Sequence, residues 1–442
     1  MPLLNRLTDD KNGHENDDQS SQSDRISPIM PGRAGRPSFS LEALRELVER
    51  QFEEEVADRT DILAELDDAD KQRAMLREVA EYVLSTRAIT LAPKDKIRLI
   101  ERAFRNLFTL GPLEPFLADE SITEITVNGP REIHVRRGMA QMEKIEAAFD
   151  DSLHLERTLQ RVVAMNGGAF SEYDPFLELG VTLGGRMARM SIVTPPISPD
   201  YNLELRLHPR QPVTLDEFHT RFEALPASAA TLLRAILNGE HGLLIVGDVG
   251  LGKTTLAGAL AGCLPPDAPI IAVERATELH LPPNVTRRAA IPQTPETPGT
   301  NFETQITQAL NENPAWLLID EIRSDESAAI WDALTRPQAP RYLWVFRGDR
   351  NLDRLRSALT MMIRKKNQAV PQPDIYRALA THLPFAVTFR RAQGVPRLHM
   401  IAELRLGDEG TLDFAPLLVD QDGDWQLTAN QPQHDLELPD NF

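Results

Sequence analysis

Residues 243–260 read LLIVGDVGLGKTTLAGAL, and this stretch decides the fold of the chain. Leu243–Val246 is a short apolar run of the kind found in a buried strand. Gly247–Thr254 fits the pattern G-x-x-x-x-G-K-[ST], in which glycines let successive backbone N–H groups face phosphate oxygens. The residues after Thr254 continue as a helix, whose N-terminus favours an anion. The alternative is an ordinary glycine-rich turn, but the flanking strand and helix predict a nucleotide-binding loop.

The polar side chains of this loop are expected to do chemistry. Lys253 is predicted to bring its charge to the β- and γ-phosphates, and the Thr254 hydroxyl is predicted to bind Mg²⁺. ATP and Mg²⁺ are therefore the predicted cofactors. The nucleotide-binding residues predicted from the loop are Gly247, Gly250, Leu251, Gly252, Lys253, Thr254 and Thr255.

The bulk composition limits the class of protein. The chain has 442 residues, 41% hydrophobic and 26% charged, as in soluble globular proteins of two or three domains. The formal net charge of −18 argues against nucleic-acid binding, which more often uses a basic patch. Cys263 is the single cysteine, so no disulfide can form within the chain, and a reducing cytoplasm fits. We find no signal-peptide core and no apolar run of about eighteen residues, so we expect no transmembrane helix.

The N-terminal part of the chain divides into a tail and a helical segment. Residues 1–38 are rich in small and polar types, so we expect a disordered tail. Residues 39–108 carry three helical patterns and predict a helical subdomain. Residues 42–70 hold twelve acidic and three basic residues, a balance of −9. This acidic segment is either a docking surface or, as charge runs usually are, a solvated helix face.

Two different domains are predicted beyond the helical subdomain. Residues 109–208 show short strand-like runs and a helix near 153–165, which is typical of an α+β domain with an antiparallel sheet. Prolines mark a linker at 209–215. Residues 216–425 alternate near-continuous apolar strands with helices, which indicates a parallel sheet covered on both faces. Residues 426–442 are polar, and we expect a poorly ordered tail.

The strands and helices predicted for the α/β domain are as follows. Besides 243–246, the strands cover 270–274, 316–321, 342–346, 385–389 and 399–406. The helices cover 227–237, 302–311, 325–335, 351–364 and 374–381.

Carboxylates at two strand ends are candidate catalytic and metal-binding groups. Asp320 and Glu321 close the strand 316–321, where one acid commonly holds Mg²⁺ and another positions the attacking water. We assign Glu321 to water activation and Asp320 to the metal side, although the reverse assignment stays open. Glu274 and Glu278 either face the phosphates, which makes Glu274 a catalytic and metal-binding candidate, or are solvated turn carboxylates.

Arginines are candidates because charge developing on the γ-phosphoryl oxygens needs cations. Arg323 follows Glu321 closely in the sequence. Arg189 and Arg206 belong to the α+β domain, and spacing alone describes them as surface arginines. They reach the nucleotide only if the two domains meet at the site.

With these motifs the chain resembles a known family, the CpaF-like (Tad pilus) branch of the type II/type IV secretion ATPase superfamily. The resemblance covers about residues 95–405. It is carried by Leu110–Pro115, Ile122–Pro130, the phosphate loop, Glu274 with Glu278, and Glu321–Arg323, which follow one another in the family's order.

The resemblance implies a fold and a machine. It implies a RecA-like P-loop NTPase C-terminal domain preceded by an α+β (PAS-like) N-terminal domain, with nucleotide held between the two. Such proteins are hexameric ATPases at the cytoplasmic face of the inner membrane, and they drive pilus assembly or secretion through membrane platform proteins. Carried over residue by residue, it implies that Arg189 and Arg206 bind nucleotide and that Glu321 is the Walker B glutamate. Lys253, Glu274, Arg206 and Glu321 then form the expected catalytic set.

The sequence also departs from the family's pattern. No histidine lies between residues 281 and 381, where the family has a histidine box. Because such a histidine lies near the γ-phosphate, its loss predicts slow hydrolysis or weak coupling of hydrolysis to motion. Three arginines, Arg336, Arg341 and Arg347, either substitute for it or are ordinary solvent-exposed residues.

Three functional hypotheses follow from the sequence. The leading one is a pilus-assembly or secretion ATPase. The second is a paralogue that binds ATP but hydrolyses it poorly and serves as a regulatory or structural ring subunit. The third is a nucleic-acid translocase, which predicts salt-dependent DNA binding and which the acidic composition opposes.

Overall fold

The computed structural model describes residues 29–31, 37–57, 68–169, 175–293, 298–408, 410–421 and 423–439. It divides the chain into two units, Met1–Phe104 and Arg105–Phe442. Within the described ranges, none of the helices combines the length and the hydropathy that crossing a bilayer requires.

The first unit is mainly helical, as predicted. Its elements are β1 (Ile29–Pro31), β2 (Pro37–Phe39), α1 (Leu41–Ala57) and α2 (Ala69–Thr86), while α3 (Pro93–Phe108) runs across the boundary between the units. Leu44, Val48 and Phe52 form the buried stripe of α1. Most of the predicted tail 1–38 lies outside the described residues. The prediction of disorder does not hold for β1 and β2, which pair with each other in antiparallel fashion.

The second unit begins with an antiparallel sheet. Its elements are α4 (Glu114–Leu117), β3 (Ile122–Asn128), β4 (Ile133–Arg137), β5 (Glu143–Lys144), α5 (Ser152–Met165), β6 (Phe176–Leu183), β7 (Arg186–Val193) and β8 (Asn202–Leu207). The strand order is β5-β4-β3-β8-β7-β6. Alternate residues of β7 and β8 are buried, because one face of the sheet packs on α5 and the other faces away from that core. The helix and the strands predicted for 109–208 are confirmed.

The rest of the second unit is built on a nine-stranded sheet. Its strands are β9 (Leu243–Gly247), β10 (Ile270–Glu274), β11 (Val285–Ala289), β12 (Trp316–Ile322), β13 (Arg341–Arg347), β14 (Phe385–Ala392), β15 (Val395–Leu406), β16 (Leu412–Gln421) and β17 (Asp424–Leu427). The order is β11-β10-β12-β13-β9-β14-β15-β16-β17. The parallel part of the sheet consists of β11, β10, β12, β13, β9 and β14. Strands β15, β16 and β17 follow, and each runs antiparallel to the strand before it in the sheet.

Helices cover both faces of this sheet. They are α6 (Leu215–Thr220), α7 (Ala227–Asn238), α8 (Lys253–Ala261), α9 (Phe302–Asn311), α10 (Ser327–Thr335), α11 (Leu352–Arg364) and α12 (Gln372–His382). Leu243 and Ile245 of β9 pack into one apolar core, and Leu244 and Val246 pack into another on the opposite face. This explains why the strand is apolar at every position rather than at alternate positions.

The C-terminal segment corrects one prediction. Leu436 and Leu438 pack against the core beside β9, and the buried carboxylate of Glu403 accepts hydrogen bonds from the backbone N–H groups of Gln433 and His434 at 2.9 and 3.0 Å. The described part of the predicted tail 426–442 is therefore held against the α/β domain. The prediction of poor order is wrong there because a few leucines and one carboxylate on a distant strand hold the segment in place.

Candidate active site

The phosphate loop lies between β9 and α8, as predicted. Gly250 and Gly252 have φ values of 73° and 77°, a left-handed conformation that glycine adopts without steric cost. Lys253 is buried at the start of α8, and its Nζ donates to the backbone carbonyl of Asp248 at 2.9 Å. Leu251 is also buried, so only its backbone is available to a phosphate. In this structure the lysine of the loop therefore binds a carbonyl group of the same loop.

The charges around Lys253 come from both domains. Burial lowers the pKa of Lys253, the carboxylates of Glu321 and Asp320 oppose that shift, and Arg206 adds to it. Asp320 and Glu321 lie on β12 and Arg206 lies on β8. Arg206 is therefore close enough to Lys253 to affect its charge, and the role of Arg206 as a nucleotide ligand stays a prediction.

Thr254 and Asp320 form the best candidate for a magnesium site. The Thr254 hydroxyl donates to Oδ1 of Asp320 at 3.2 Å. Burial raises the pKa of Asp320 well above its usual value, and the nearby carboxylates of Glu278, Glu274 and Glu321 raise it further. A divalent cation that approaches these two oxygens would relieve that repulsion, and both are the hard oxygen ligands that Mg²⁺ prefers. Among the described residues no group of three or more His, Cys, Asp or Glu side chains is arranged to hold a metal ion.

Glu321 lies next to this pair in a strained backbone conformation. Its φ is 54°, at the point where the register between β12 and β13 shifts. Its Oε2 accepts hydrogen bonds from Arg189 at 3.1 Å and from Arg323 at 3.2 Å. Burial opposes its ionisation, but these two arginines outweigh burial and lower the pKa of Glu321 to about 2. In this state Glu321 is an ion-pair partner rather than a free base.

Arg189 is the centre of an ion-pair cluster that joins the two domains. Its guanidinium contacts Glu178 on β6 at 2.6 Å, Glu278 at 3.3 Å and Glu321 at 3.1 Å. Burial alone would lower its pKa, but the carboxylates raise it above its usual value. The predicted nucleotide ligand Arg189 is thus fully engaged by carboxylates in this structure. We refer to Arg189, Glu178, Glu278 and Glu321 as the interdomain cluster.

Two predicted site residues are directed elsewhere. Glu274 is fully buried, and its Oε1 accepts from the backbone N–H groups of Glu278 and Leu279 at 2.8 and 2.7 Å. Its Oε2 lies 2.7 Å from Nε of Arg287. Oε1 therefore holds the turn after β10, and Oε2 pairs with Arg287 on β11. The catalytic and metal-binding role of Glu274 stays a prediction. Arg206 donates instead to Glu204 on its own strand at 2.9 Å.

The structure adds contacts that the sequence did not indicate. Nε2 of His208 lies 2.8 Å from Oε2 of Glu278. Gly180 on β6 packs so closely on the turn after β10 that a Cβ there would lie 2.1 Å from the backbone N of Thr277. No sequence signal could find these pairs, because their members lie 70 and about 100 residues apart and meet only when the two domains pack.

Comparison with known families decides the classification. The family model for type II/IV secretion system proteins matches residues 107–335, which is more than half of the chain. The chain belongs to this family. The matched segment contains Arg189, the phosphate loop, Asp320 and Glu321, and it ends with α10, before β13.

The chain shares low sequence identity with two individual relatives. A putative conjugal transfer protein of Mycobacterium tuberculosis is 29% identical over 233 residues, which make up 51% of this chain and 65% of that protein. The chain therefore spans about two thirds of that relative's length. The type IV secretion system protein VirB11 of Brucella suis is 25% identical over 326 residues, 67% of this chain and 88% of VirB11.

Two solved structures align with about two thirds of the chain. The VirB11 ATPase of the Brucella suis type IV secretion system, in complex with sulphate, aligns with 67% of this chain and 97% of its own, at 22% identity and a TM-score of 0.34. The Legionella pneumophila ATPase DotB aligns with 69% of this chain and 82% of its own, at 16% identity and a TM-score of 0.46.

Proposed function

We propose that this secretion-family protein binds ATP with Mg²⁺ and hydrolyses it between its α+β and α/β domains. One observation carries the proposal. Lys253 and Thr254 of the phosphate loop converge with Asp320 and Glu321 at the carboxyl ends of two parallel strands, β9 and β12, that are separated by β13; this is the edge at which open α/β sheets bind ligands. Family membership supports the same conclusion.

The metal role fits Thr254 and Asp320 and does not fit Glu274. The first two residues present oxygens that already contact each other beside the phosphate loop. Glu274 has both oxygens committed to the turn after β10 and to Arg287. Bound Mg²⁺ would neutralise charge on the phosphates. Asp320 and Thr254 would fix it, directly or through water, in line with the one or two protein ligands that Mg²⁺ usually takes.

Activation of the water by Glu321 requires a rearrangement. A carboxylate with a pKa of about 2 is a weak base while Arg189 and Arg323 hold it. Both arginines can bind phosphate oxygens as well as carboxylate oxygens, because the donors of a guanidinium group match the geometry of either group. We therefore propose that the triphosphate draws Arg189 away from Glu321 and frees the carboxylate to orient water. Arg206 would join it by releasing Glu204.

For the biological setting we propose a CpaF-like motor. In this proposal the chain forms a hexameric ring on the cytoplasmic face of the inner membrane and passes motion to pilus or secretion platform proteins. With the proposed domains 109–208 and 216–425, one wall of the nucleotide site would lie on each domain. The supporting observation is the interdomain cluster, which couples the relative position of the two domains to the charge at the site.

A catalytically impaired nucleotide-binding subunit is the second candidate. Two observations favour it: Arg189 and Arg323 both donate hydrogen bonds to Glu321, and no histidine lies between residues 281 and 381. The decisive experiment compares steady-state ATP hydrolysis and ATP binding of the wild type with those of Lys253→Ala. Hydrolysis that is clearly faster than in the variant supports the motor. Binding without turnover above the variant supports the impaired subunit, and no binding at all contradicts both.

Two further measurements test the setting. The motor predicts assembly to a hexamer in the presence of Mg²⁺ and ATP, which mass photometry resolves. It also predicts that single- or double-stranded DNA leaves the hydrolysis rate unchanged. A DNA-stimulated rate that falls with added salt would favour a nucleic-acid translocase instead.

A further inference from the structure

A second charged surface lies beside the phosphate loop, away from the interdomain cluster. It is a groove of about 570 Å³ between the phosphate loop, the loop that follows β13 and the end of β14. Asp248 and Leu251 line it from the phosphate loop, and its arginines are Arg347, Arg350, Arg390 and Arg391. Nothing in the proposed function so far uses these cations.

The sheet order places one of these arginines at the sheet edge that carries the phosphate loop. Strand β13 lies between β9, which leads into the phosphate loop, and β12, which ends in the two acidic residues. Arg347, the last residue of β13, is in register with Gly247, and the backbone N–H of Gly348 lies 3.4 Å from the carbonyl of Gly247. Since the carboxyl ends of parallel strands meet at a common edge, the end of β13 with Arg347 lies between the ends of β9 and β12, which carry the phosphate loop and Asp320.

The side chain of Arg347 is available. It is 60% exposed, and its one ion-pair contact among the described residues is a long one, with Nε 3.7 Å from Oδ1 of Asp248, which is itself 78% exposed. An exposed ion pair at that distance is weak and screened, so leaving it costs little. A phosphate oxygen in a partly enclosed site is a stronger partner for a guanidinium than an exposed carboxylate in water.

Four other arginines, two from the sequence candidates and two from the groove, are engaged or remote. Arg336 donates to Asn311 at 2.7 Å, and Arg341 at the opposite end of β13 pairs with Glu240. Within the groove, Arg390 makes two hydrogen bonds to the buried carboxylate of Asp420 at 2.7 and 3.0 Å. Arg391 donates to the carbonyl of Gly394 at 3.1 Å.

We propose that Arg347 binds the γ-phosphate of the bound nucleotide and supplies, from within the same chain, the cation that stabilises charge on that group. This inference rests on the proposed nucleotide binding. It gives Arg347 two roles. Contact with the γ-phosphate discriminates triphosphate from diphosphate, and a contact that strengthens as charge develops in the transition state lowers the barrier to hydrolysis. It also selects Arg347 from the three arginines that the sequence left open.

The test compares Arg347→Ala and Arg347→Lys with a matched control, Arg341→Ala, which removes an exposed, ion-paired arginine from the other end of the same strand. Isothermal titration calorimetry measures the dissociation constants of ADP and of a non-hydrolysable ATP analogue, with Mg²⁺ present. We expect the wild type and Arg341→Ala to prefer the triphosphate. Arg347→Ala should lose about tenfold or more of that preference with ADP affinity unchanged, as expected for one lost charge-assisted contact.

Hydrolysis provides the second readout. Arg347→Ala should lower kcat about 10²-fold, in the range for removal of one group that stabilises developing charge. Arg347→Lys should restore part of it, because lysine keeps the charge but not the planar fork. The binding readout decides even if the wild type hydrolyses slowly, since it needs no turnover.

The failures of the two proposals are distinguishable. If Arg347→Ala keeps the wild-type preference for triphosphate, or if Arg341→Ala loses it to the same extent, the role of Arg347 is overturned while nucleotide binding stands. If the wild type binds neither ligand, the proposed function fails and the role of Arg347 fails with it.

Discussion

Two adjacent carboxylates, Asp320 and Glu321, show how strongly the surroundings decide the behaviour of a side chain. Asp320 is buried among other acids, so its pKa lies well above the usual value. Glu321 is partly buried, but two arginines hold its pKa at about 2. One residue along the chain therefore reverses the direction of the pKa shift, because it reverses the sign of the nearest partners.

We predict that Asp320→Asn stabilises the nucleotide-free protein and abolishes hydrolysis. Asparagine keeps an oxygen for the Thr254 hydroxyl but removes the repulsion among the acids, so the free energy of unfolding at pH 7 should rise by about 1 kcal/mol or more. Because the folded-state pKa of Asp320 is raised, the gain should shrink as the pH falls towards 3.8. Urea unfolding in the presence of EDTA measures this change in the free energy of unfolding. The exposed Asp325→Asn is the control, and equal shifts in both variants would contradict the prediction.

Arg189 is predicted to contribute strongly to stability. Arg189→Ala leaves Glu278 and Glu321 buried with fewer partners, so we expect a loss of about 3 kcal/mol at pH 7. The Glu321 contribution is complete above pH 4.5, its reference value, and is lost as the pH falls towards about 2, because its folded-state pKa is depressed. The difference between wild type and variant should therefore narrow over that range. The exposed Arg210→Ala should cost under about 1 kcal/mol.

At the scale of elements, close packing between β6 and the turn after β10 joins the two domains. Gly180 has no Cβ, and it faces the backbone N of Thr277. The position is therefore fixed by the approach of another backbone rather than by a turn or a positive φ.

The substitution Gly180→Ala should move β6 away from the turn after β10. A Cβ 2.1 Å from a backbone nitrogen cannot be accommodated by rotating a side chain, so we expect a destabilisation of about 1–3 kcal/mol and a weaker interdomain cluster. Thermal unfolding of the variant, beside Thr182→Ala at an exposed position of the same strand, tests this. A melting temperature equal to that of the control would show that the contact does not constrain the domains.

At the scale of the whole molecule, the C-terminal segment closes the α/β domain on the side away from the phosphate loop. His434 adds its ring nitrogen Nδ1 to the backbone groups that bind Glu403, at 2.8 Å. Burial opposes the ionisation of Glu403, but these hydrogen bonds lower its pKa. The segment thus supplies partners to a carboxylate buried in the central sheet.

Ending the chain after Leu427 should destabilise the α/β domain. The truncation exposes the surface under Leu436 and Leu438 and leaves Glu403 without most of its partners, which together should cost about 3 kcal/mol. Chemical unfolding measures the loss, with a chain ending after Pro439 as the control. Equal midpoints for the two truncations would mean that the segment adds no stability.

The sequence by itself determined most of the architecture. The apolar run before Gly247, the loop spacing and the alternation of strands and helices predicted a parallel and an antiparallel sheet, and the bounds of the predicted strands and helices lie close to those observed. These features are local, since each depends on residues within a few positions of one another. The edge strand β11, with polar residues in VTRRA, and the pairing of β16 with β17 were missed because their strand character comes from their neighbours in the sheet.

Only the tertiary structure decided which charged residues share a site. Glu274 and Glu321 both follow apolar strands in the sequence, yet one holds a turn and the other bridges two domains. Arg341 and Arg347 differ by six positions, and β13 carries them to opposite ends of the sheet. The physical reason is that charge interactions depend on distance and burial in three dimensions. The fold, not the spacing along the chain, sets both.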